Sequence, residues 1–252
     1  MIRVNGLKKK YKGCLVLDNF SIELHEKCIT SIIGPNGSGK STFLEIISKS
    51  TQPSGGSVTI DDLELATTSA NILSHIIATL RQENNIDIRL QVKDLVAFGR
   101  YPYTQGRLTI VDKEHIERSL SYLNILHLKD CFIDELSGGQ RQRVFIAMII
   151  CQDTKYILLD EPLNSLDLRH AADTMKLLRK AVDELGKTII MVIHDINFAT
   201  YYSDRVIAIK DGHILFEGTN DEVLNNSNLS ELYDMTIKTH VIEGRKVITF
   251  YE

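Results

Sequence analysis

The 252-residue sequence lacks any close cysteine pair: Cys14, Cys28, Cys131 and Cys151 stand far apart with no C-x-x-C spacing. That spacing suggests neither a zinc site nor a disulfide framework and makes reduced, cytosolic thiols the default. No run of about 18 apolar residues occurs, the length a membrane-spanning helix needs. The opening MIRVNGLKKKYKG has no apolar leader stretch, so neither a span nor a signal peptide is expected. Any link to a membrane would then run through a partner. Excess positive charge is missing too. A formal charge of −4 and a pI near 6.1 argue against nucleic-acid binding driven by bulk charge. The one basic stretch, KKKYK from Lys8 to Lys12, reads as the solvated end of a hairpin. Internal repeats and low-complexity segments are absent.

What is present is a core. With 43% hydrophobic residues the chain fits one α/β domain carrying a smaller subdomain. Short apolar runs mark candidate strands at Phe20–Leu24, Ile29–Ile33, Val58–Ile60, Tyr156–Leu159, Thr188–Ile193, Arg205–Ile209 and His213–Phe216, several apolar throughout as buried parallel strands are. The middle third turns helical, at Val92–Phe98, Lys113–Leu126 and Ser137–Cys151, and reads as an insertion. The tail from Ile237 to Tyr251 reads as a terminal hairpin turning at Glu243-Gly244.

The octapeptide GPNGSGKS (Gly34, Pro35, Asn36, Gly37, Ser38, Gly39, Lys40, Ser41) fits GxxxxGK[ST] and follows the apolar run ending at Ile33. Its glycines let backbone N–H groups curl around an anion, and the helix starting near Lys40 points its positive end at phosphates. Lys40 is expected to reach the β/γ-phosphates of a nucleoside triphosphate. Ser41 is expected to offer its hydroxyl to Mg²⁺, with Thr42 extending the hydroxyl cluster.

Four large apolar residues from Tyr156 to Leu159 end in Asp160 and Glu161. A buried strand emerging beside a phosphate loop would let Asp160 hold Mg²⁺ and Glu161 polarise an attacking water. Farther upstream lies LSGGQ, Leu136, Ser137, Gly138, Gly139 and Gln140. Ser137 and Gln140 match a capping box, yet two glycines in a first helical turn cost roughly 1 kcal/mol each relative to alanine. That cost makes sense where something must approach the helix end closely, such as an anion.

LSGGQ after a phosphate loop resembles the ATP-binding-cassette family, and the resemblance runs from about Arg3 to Gly218. It implies an α/β phosphate-loop NTPase (RecA-like) core with an N-terminal antiparallel β subdomain and an inserted α-helical subdomain. Residues 1–85 and 156–225 would form the nucleotide-binding core, 86–155 the helical signature subdomain and 226–252 a tail hairpin. In that family two cassettes pair head to tail, so Leu136 to Gln140 would cap the γ-phosphate of ATP held by a partner copy. Tyr11 matches the aromatic stacked on adenine. Gln82 matches the glutamine that contacts metal and attacking water, and His194 the switch histidine at the γ-phosphate. Ser165, Leu166 and Asp167 resemble the loop touching the opposite cassette. Two departures stand out. Glu26-Lys27-Cys28 replaces the usual Lys-Gly-Glu turn, which implies another turn conformation, and Leu163 replaces the Thr that commonly follows Glu-Pro.

VAFGRYPY, from Val96 to Tyr103, is similar to stretches in ATPases of iron–siderophore, haem and cobalamin importers. That likeness implies a homodimer on a separate integral-membrane permease dimer at the cytoplasmic membrane face, receiving substrate through an extracellular solute-binding lipoprotein, with no nucleic acid. Iron(III)-siderophore uptake is the expected role. Haem, cobalamin or zinc/manganese import, a non-transport cassette ATPase and a regulatory nucleotide switch stay open.

Overall fold

The computed structural model describes residues 1–82, 88–164 and 166–250. Strands β1 (Ile2–Tyr11) and β2 (Cys14–Leu24) form a hairpin closed by the pair Tyr11–Cys14. The KKKYK stretch is therefore the exposed end of that hairpin. β1 is not announced by an apolar run because its distal half is lysine-rich, and β2 starts six residues before the apolar run Phe20–Leu24. After β3 (Ile29–Ile33) and α1 (Lys40–Ile47) come β4 (Gly55–Ile60), β5 (Leu63–Glu64), α2 (Ala70–Leu73) and β6 (Ile77–Leu80). One four-stranded antiparallel sheet has the order β2-β1-β4-β5.

The helical segment follows: α3 (Val92–Ala97), α4 (Tyr101–Thr104), α5 (Ile110–Tyr122) and α6 (Gly138–Cys151). The chain then returns through β7 (Tyr156–Asp160), α7 (Leu168–Leu185), β8 (Thr188–Val192), α8 (Ile196–Tyr202), β9 (Arg205–Lys210) and β10 (His213–Thr219). It ends in α9 (Asn220–Val223), α10 (Asn226–Tyr233) and the hairpin of β11 (Lys238–Ile242) and β12 (Arg245–Thr249), turning at Glu243-Gly244. The central six-stranded sheet has the order β10-β9-β3-β8-β7-β6, parallel except for the edge strand β10. Every residue of β3 and β8 is buried, which is why these strands read as unbroken apolar runs. Among the described residues no helix is long and apolar enough to cross a membrane.

Several boundaries differ from the pattern, β4, β7, β9 and β10 each running one to three residues beyond the apolar runs. The expected strand through Ile193 stops at Val192, and the Ile193 N–H instead donates to the Ile32 carbonyl at 3.2 Å. The expected helix Lys113–Leu126 begins earlier, at Ile110, because Thr109 and Asp112 cap it reciprocally, and it ends at Tyr122. Residues Leu126–Leu128 form a separate 3-10 turn. The turn before β3 runs through Glu26, Lys27 and Cys28. Lys27 takes the left-handed conformation (φ 54°) that a glycine adopts freely, with its N–H donating to Thr188 Oγ1 at 2.9 Å.

The GRYPY stretch is a joint. Arg100 is buried, donating to Asp112 Oδ1 (3.0 Å) and the Cys151 carbonyl (3.1 Å), and its guanidinium lies 3.9 Å from the Tyr103 ring centroid. Tyr103 in turn donates to the Gln152 carbonyl at 2.9 Å. Together they pin α4 and α5 to the end of α6. The Thr109 hydroxyl and N–H, then Arg100, hold the Asp112 carboxyl down at about 2.

Replacing Arg100 with Ala leaves a buried carboxylate unpaired and should cost about 3–5 kcal/mol in thermal or urea unfolding. Lys93→Ala, which removes the exposed Lys93–Asp130 pair, should leave stability unchanged within error. Because the folded Asp112 pKa lies below its ordinary value of 3.8, its contribution is complete above that pH and is lost as pH falls towards 2. The wild-type advantage over Arg100→Ala should shrink over that interval.

Candidate functional site

The carboxyl ends of β3, β7, β8 and β6 open on one side of the central sheet, where open parallel sheets bind ligands. Beyond β3 the chain turns through residues 34–39 and enters α1 at Lys40. The turn is tight. A side-chain carbon at Gly34 would sit 2.0 Å from the Ile209 carbonyl oxygen of β9, and φ there is 146°. Ser38 is buried, and its Oγ has no hydrogen-bond partner among the described residues. Lys40 is 5% exposed and folds back over the loop, donating to the carbonyls of Gly34 (2.9 Å) and Pro35 (2.8 Å). Burial pulls its pKa down, opposed by the charges of Glu161 and Asp160.

Asp160 ends β7 and Glu161 follows it. Ser41 Oγ donates to Asp160 Oδ1 at 3.1 Å, bringing together two hard oxygen donors from α1 and β7. Burial raises the Asp160 pKa, and the neighbouring Glu161 charge adds to that rise. Glu161 has φ 50°, and its N–H donates to the Val192 carbonyl of β8 at 3.2 Å. Its side chain is only 10% exposed, with three partners. Gln82, just past β6, donates from Nε2 to Oε2 at 2.7 Å, and Asn164 Nδ2 donates to the same oxygen. His194, past β8, lies 2.5 Å from Oε1 through Nε2.

These groups border a cavity of about 850 Å³ lined by Val16, Asn36, Gly37, Gly39–Thr42, Gln82, Glu161, Asn164 and His194. The donor set fits a triphosphate with a hard cation. It offers backbone amides at a helix start, a buried lysine and the Ser41–Asp160 oxygens, with the Ser38 hydroxyl, unpartnered among the described residues, buried in the adjoining loop. Among the described residues no cluster of three or more His, Cys, Asp or Glu could hold a metal. A Mg²⁺ ion held by one or two protein oxygens and substrate phosphates needs no such cluster.

Asn164 and Val16 were missed in the sequence. Asn164 carries a weak signal, an amide three residues beyond Glu161, while Val16 arrives from β2 and carries none. Tyr11 stands at the hairpin end, 42% exposed, with its hydroxyl 3.5 Å from Glu45 Oε2 of α1, and it does not line the cavity.

The LSGGQ residues do not line this cavity either. Leu136 packs partly buried against the core, and Ser137 caps α6. Ser137 Oγ accepts from the Gln140 N–H, while Gln140 Oε1 accepts from the Ser137 N–H. Asp167 caps α7, accepting from the His170 N–H at 2.8 Å, and the Leu166 N–H donates to the Leu163 carbonyl. Ser165 lies outside the described residues.

The profile of the ABC transporter family matches residues 17–164. The petrobactin import ATP-binding protein YclP of Bacillus subtilis (strain 168) is 48% identical over 251 residues, covering 100% of both chains. The ferric enterobactin transport ATP-binding protein FepC of Escherichia coli (strain K12) is 35% identical, covering 93% of this chain and 87% of its own length. A dimeric ATP-binding cassette solved in a post-hydrolysis state with ADP and Pi superposes with a TM-score of 0.78 at 31% identity, covering 87% of this chain and 99% of that one.

The loop geometry separates two glycines. Gly34→Ala drives a methyl group into backbone and should abolish nucleotide binding measured with a fluorescent ATP analogue. At Gly37 (φ 79°) an added Cβ meets nothing within 4 Å, so Gly37→Ala should cost only about 1–2 kcal/mol of backbone strain and still bind.

Proposed function

This chain belongs to the ABC transporter family and is an ATP-hydrolysing cassette of it, and on that premise we propose that it energises import of ferric siderophores. The observation that carries the catalytic part is Glu161, held against the phosphate-loop cavity by Gln82, Asn164 and His194. A carboxylate fixed by two amide donors and an imidazole can accept a proton from a water attacking the γ-phosphate in line. Lys40 and the loop amides would neutralise charge developing on the phosphoryl oxygens. Ser41, Asp160 and Gln82 would hold Mg²⁺, which supplies further charge neutralisation when bound.

We read the site as half of a composite. Leu136 to Gln140 would meet the γ-phosphate held by a second copy, supported by their position off this chain's own cavity and by the dimeric cassette to which the chain is similar. Leu166 and Asp167 would touch that copy, as would Ser165. Tyr11 would stack on adenine from the hairpin end. The homodimer would sit on an integral-membrane permease pair at the cytoplasmic face, served indirectly by an extracellular solute-binding lipoprotein and involving no nucleic acid. The relatives' names support a siderophore cargo, and petrobactin is the first to test because YclP is the more similar of the two.

Glu161→Gln keeps both hydrogen-bonding oxygen and shape but lowers basicity. It should bind ATP as the parent does and lose about 10²-fold or more in steady-state phosphate release. Turnover at the parental rate would remove Glu161 from the role of base.

A further inference from the structure

Gly139 lies in the first turn of α6, and what presses against it belongs to the same chain. A side-chain carbon there would stand 2.2 Å from Cδ2, 2.5 Å from Cγ and 2.8 Å from Nε2 of His170. The imidazole ring is seated on the glycine. His170 is in turn tied to the start of α7, since Nδ1 lies 2.8 Å from Asp167 Oδ1, the same oxygen that accepts the His170 backbone N–H. Those two hydrogen bonds pull the Asp167 pKa down, so this capping oxygen is a carboxylate. One residue thereby joins the segment ending at Asp167 to the helix opened by Ser137.

Two further ties reinforce the joint. Gln142 Nε2 of α6 donates to the Pro162 carbonyl at 2.7 Å, directly after Glu161. Arg143 Nη2 donates to Asp173 Oδ2 of α7 at 3.0 Å. The first two turns of α6 are therefore gripped by residues 162–173, the stretch that begins at the carboxylate and ends on α7. Of the three contacts, only the His170 contact leaves no room for a side chain on its partner.

We propose that His170 is a positioning residue for ATP hydrolysis. Its ring, held by Asp167 and seated on Gly139, makes the Asp167 loop and the signature helix one rigid body, so displacement of either carries the other. The absence of a side chain at residue 139 is then dictated within the chain by His170. This rests on the reading that LSGGQ takes part in turnover, and it deepens that reading by naming what aims the segment. Energy stored in such a contact shows as non-additivity between the two positions.

The test is a double-mutant cycle in the full-length chain, reading phosphate release over a range of ATP concentrations for wild type, Gly139→Ala, His170→Ala and the double variant. His170→Ala should lower kcat by about tenfold with KM unchanged, since misplacement of a contributing group by ~1 Å costs up to about 10²-fold. Gly139→Ala should be slower still, and the double variant no slower than His170→Ala alone. If Gly139→Ala yields no folded protein, adding His170→Ala should restore soluble protein with a cooperative unfolding transition. A Gly139→Ala penalty of equal size in both backgrounds, an insoluble double variant, or an undiminished kcat in His170→Ala would each overturn the proposal. Ser137→Arg run alongside keeps the two ideas apart, because full activity there removes LSGGQ from turnover whatever the cycle gives.

Discussion

One carboxylate organises the site. Glu161 accepts from a side chain just beyond β6 and another within its own loop, and it meets a third just beyond β8, while its own N–H is bonded to β8. A glutamate in the left-handed region costs about 1–2 kcal/mol, and such conformations persist where the surroundings over-determine them. Here the surroundings are the ends of three neighbouring parallel strands, β6, β7 and β8, paired residue by residue. The stability of the sheet is thus spent on holding one acid beside the phosphate loop. Lys40, buried and bent over the loop, and Asp160, its proton affinity raised by burial and by Glu161, complete a compact charge arrangement suited to a polyanion and a hard cation.

α6 is fastened at both ends, to the rest of the helical segment at one and to the core at the other. At its carboxyl end the buried Arg100–Asp112 pair, the Cys151 carbonyl and Tyr103 weld GRYPY to α6 and α5. At its amino end Gln142, Arg143 and the His170 ring fasten it to the residues that follow Glu161. A long helix clamped at both ends transmits displacement rather than absorbing it. That is the mechanical property needed if a membrane partner acting on the helical segment is to influence the carboxylate.

Much of this was legible in the sequence because the signals were local. GPNGSGKS, the apolar run into Asp160-Glu161 and the strand into His194 each join a chemical motif to an element whose period is plain, and parallel strands advertise themselves by unbroken hydrophobicity. What escaped depended on distant pairing. Val16 enters the cavity from β2, a strand far in sequence from Gln82, Glu161 and His194. The left-handed Lys27 is held by Thr188, more than 150 residues away in sequence. The glycine cost in α6 suggests room for an anion, and at Gly139 the structure adds a close neighbour from the same chain, a histidine bonded to Asp167. Asp-x-x-His at the start of α7 was visible, but nothing in the sequence says which helix its ring would touch. The start of α5 could have been placed from Thr109-x-x-Asp112, a capping signature that outranks the later apolar spacing.

The central claim is that a complete reaction centre takes its phosphate loop from one copy and its LSGGQ segment from another. Mixing two inactive variants tests it most directly: Lys40→Ala, which spoils the loop, and Ser137→Arg, which spoils the helix end. In a mixed dimer one site carries both lesions and the other carries neither, so the mixture should hydrolyse ATP well above the sum of the separate variants. A mixture no more active than that sum, with mixed dimers verified by differential tagging, would contradict the account.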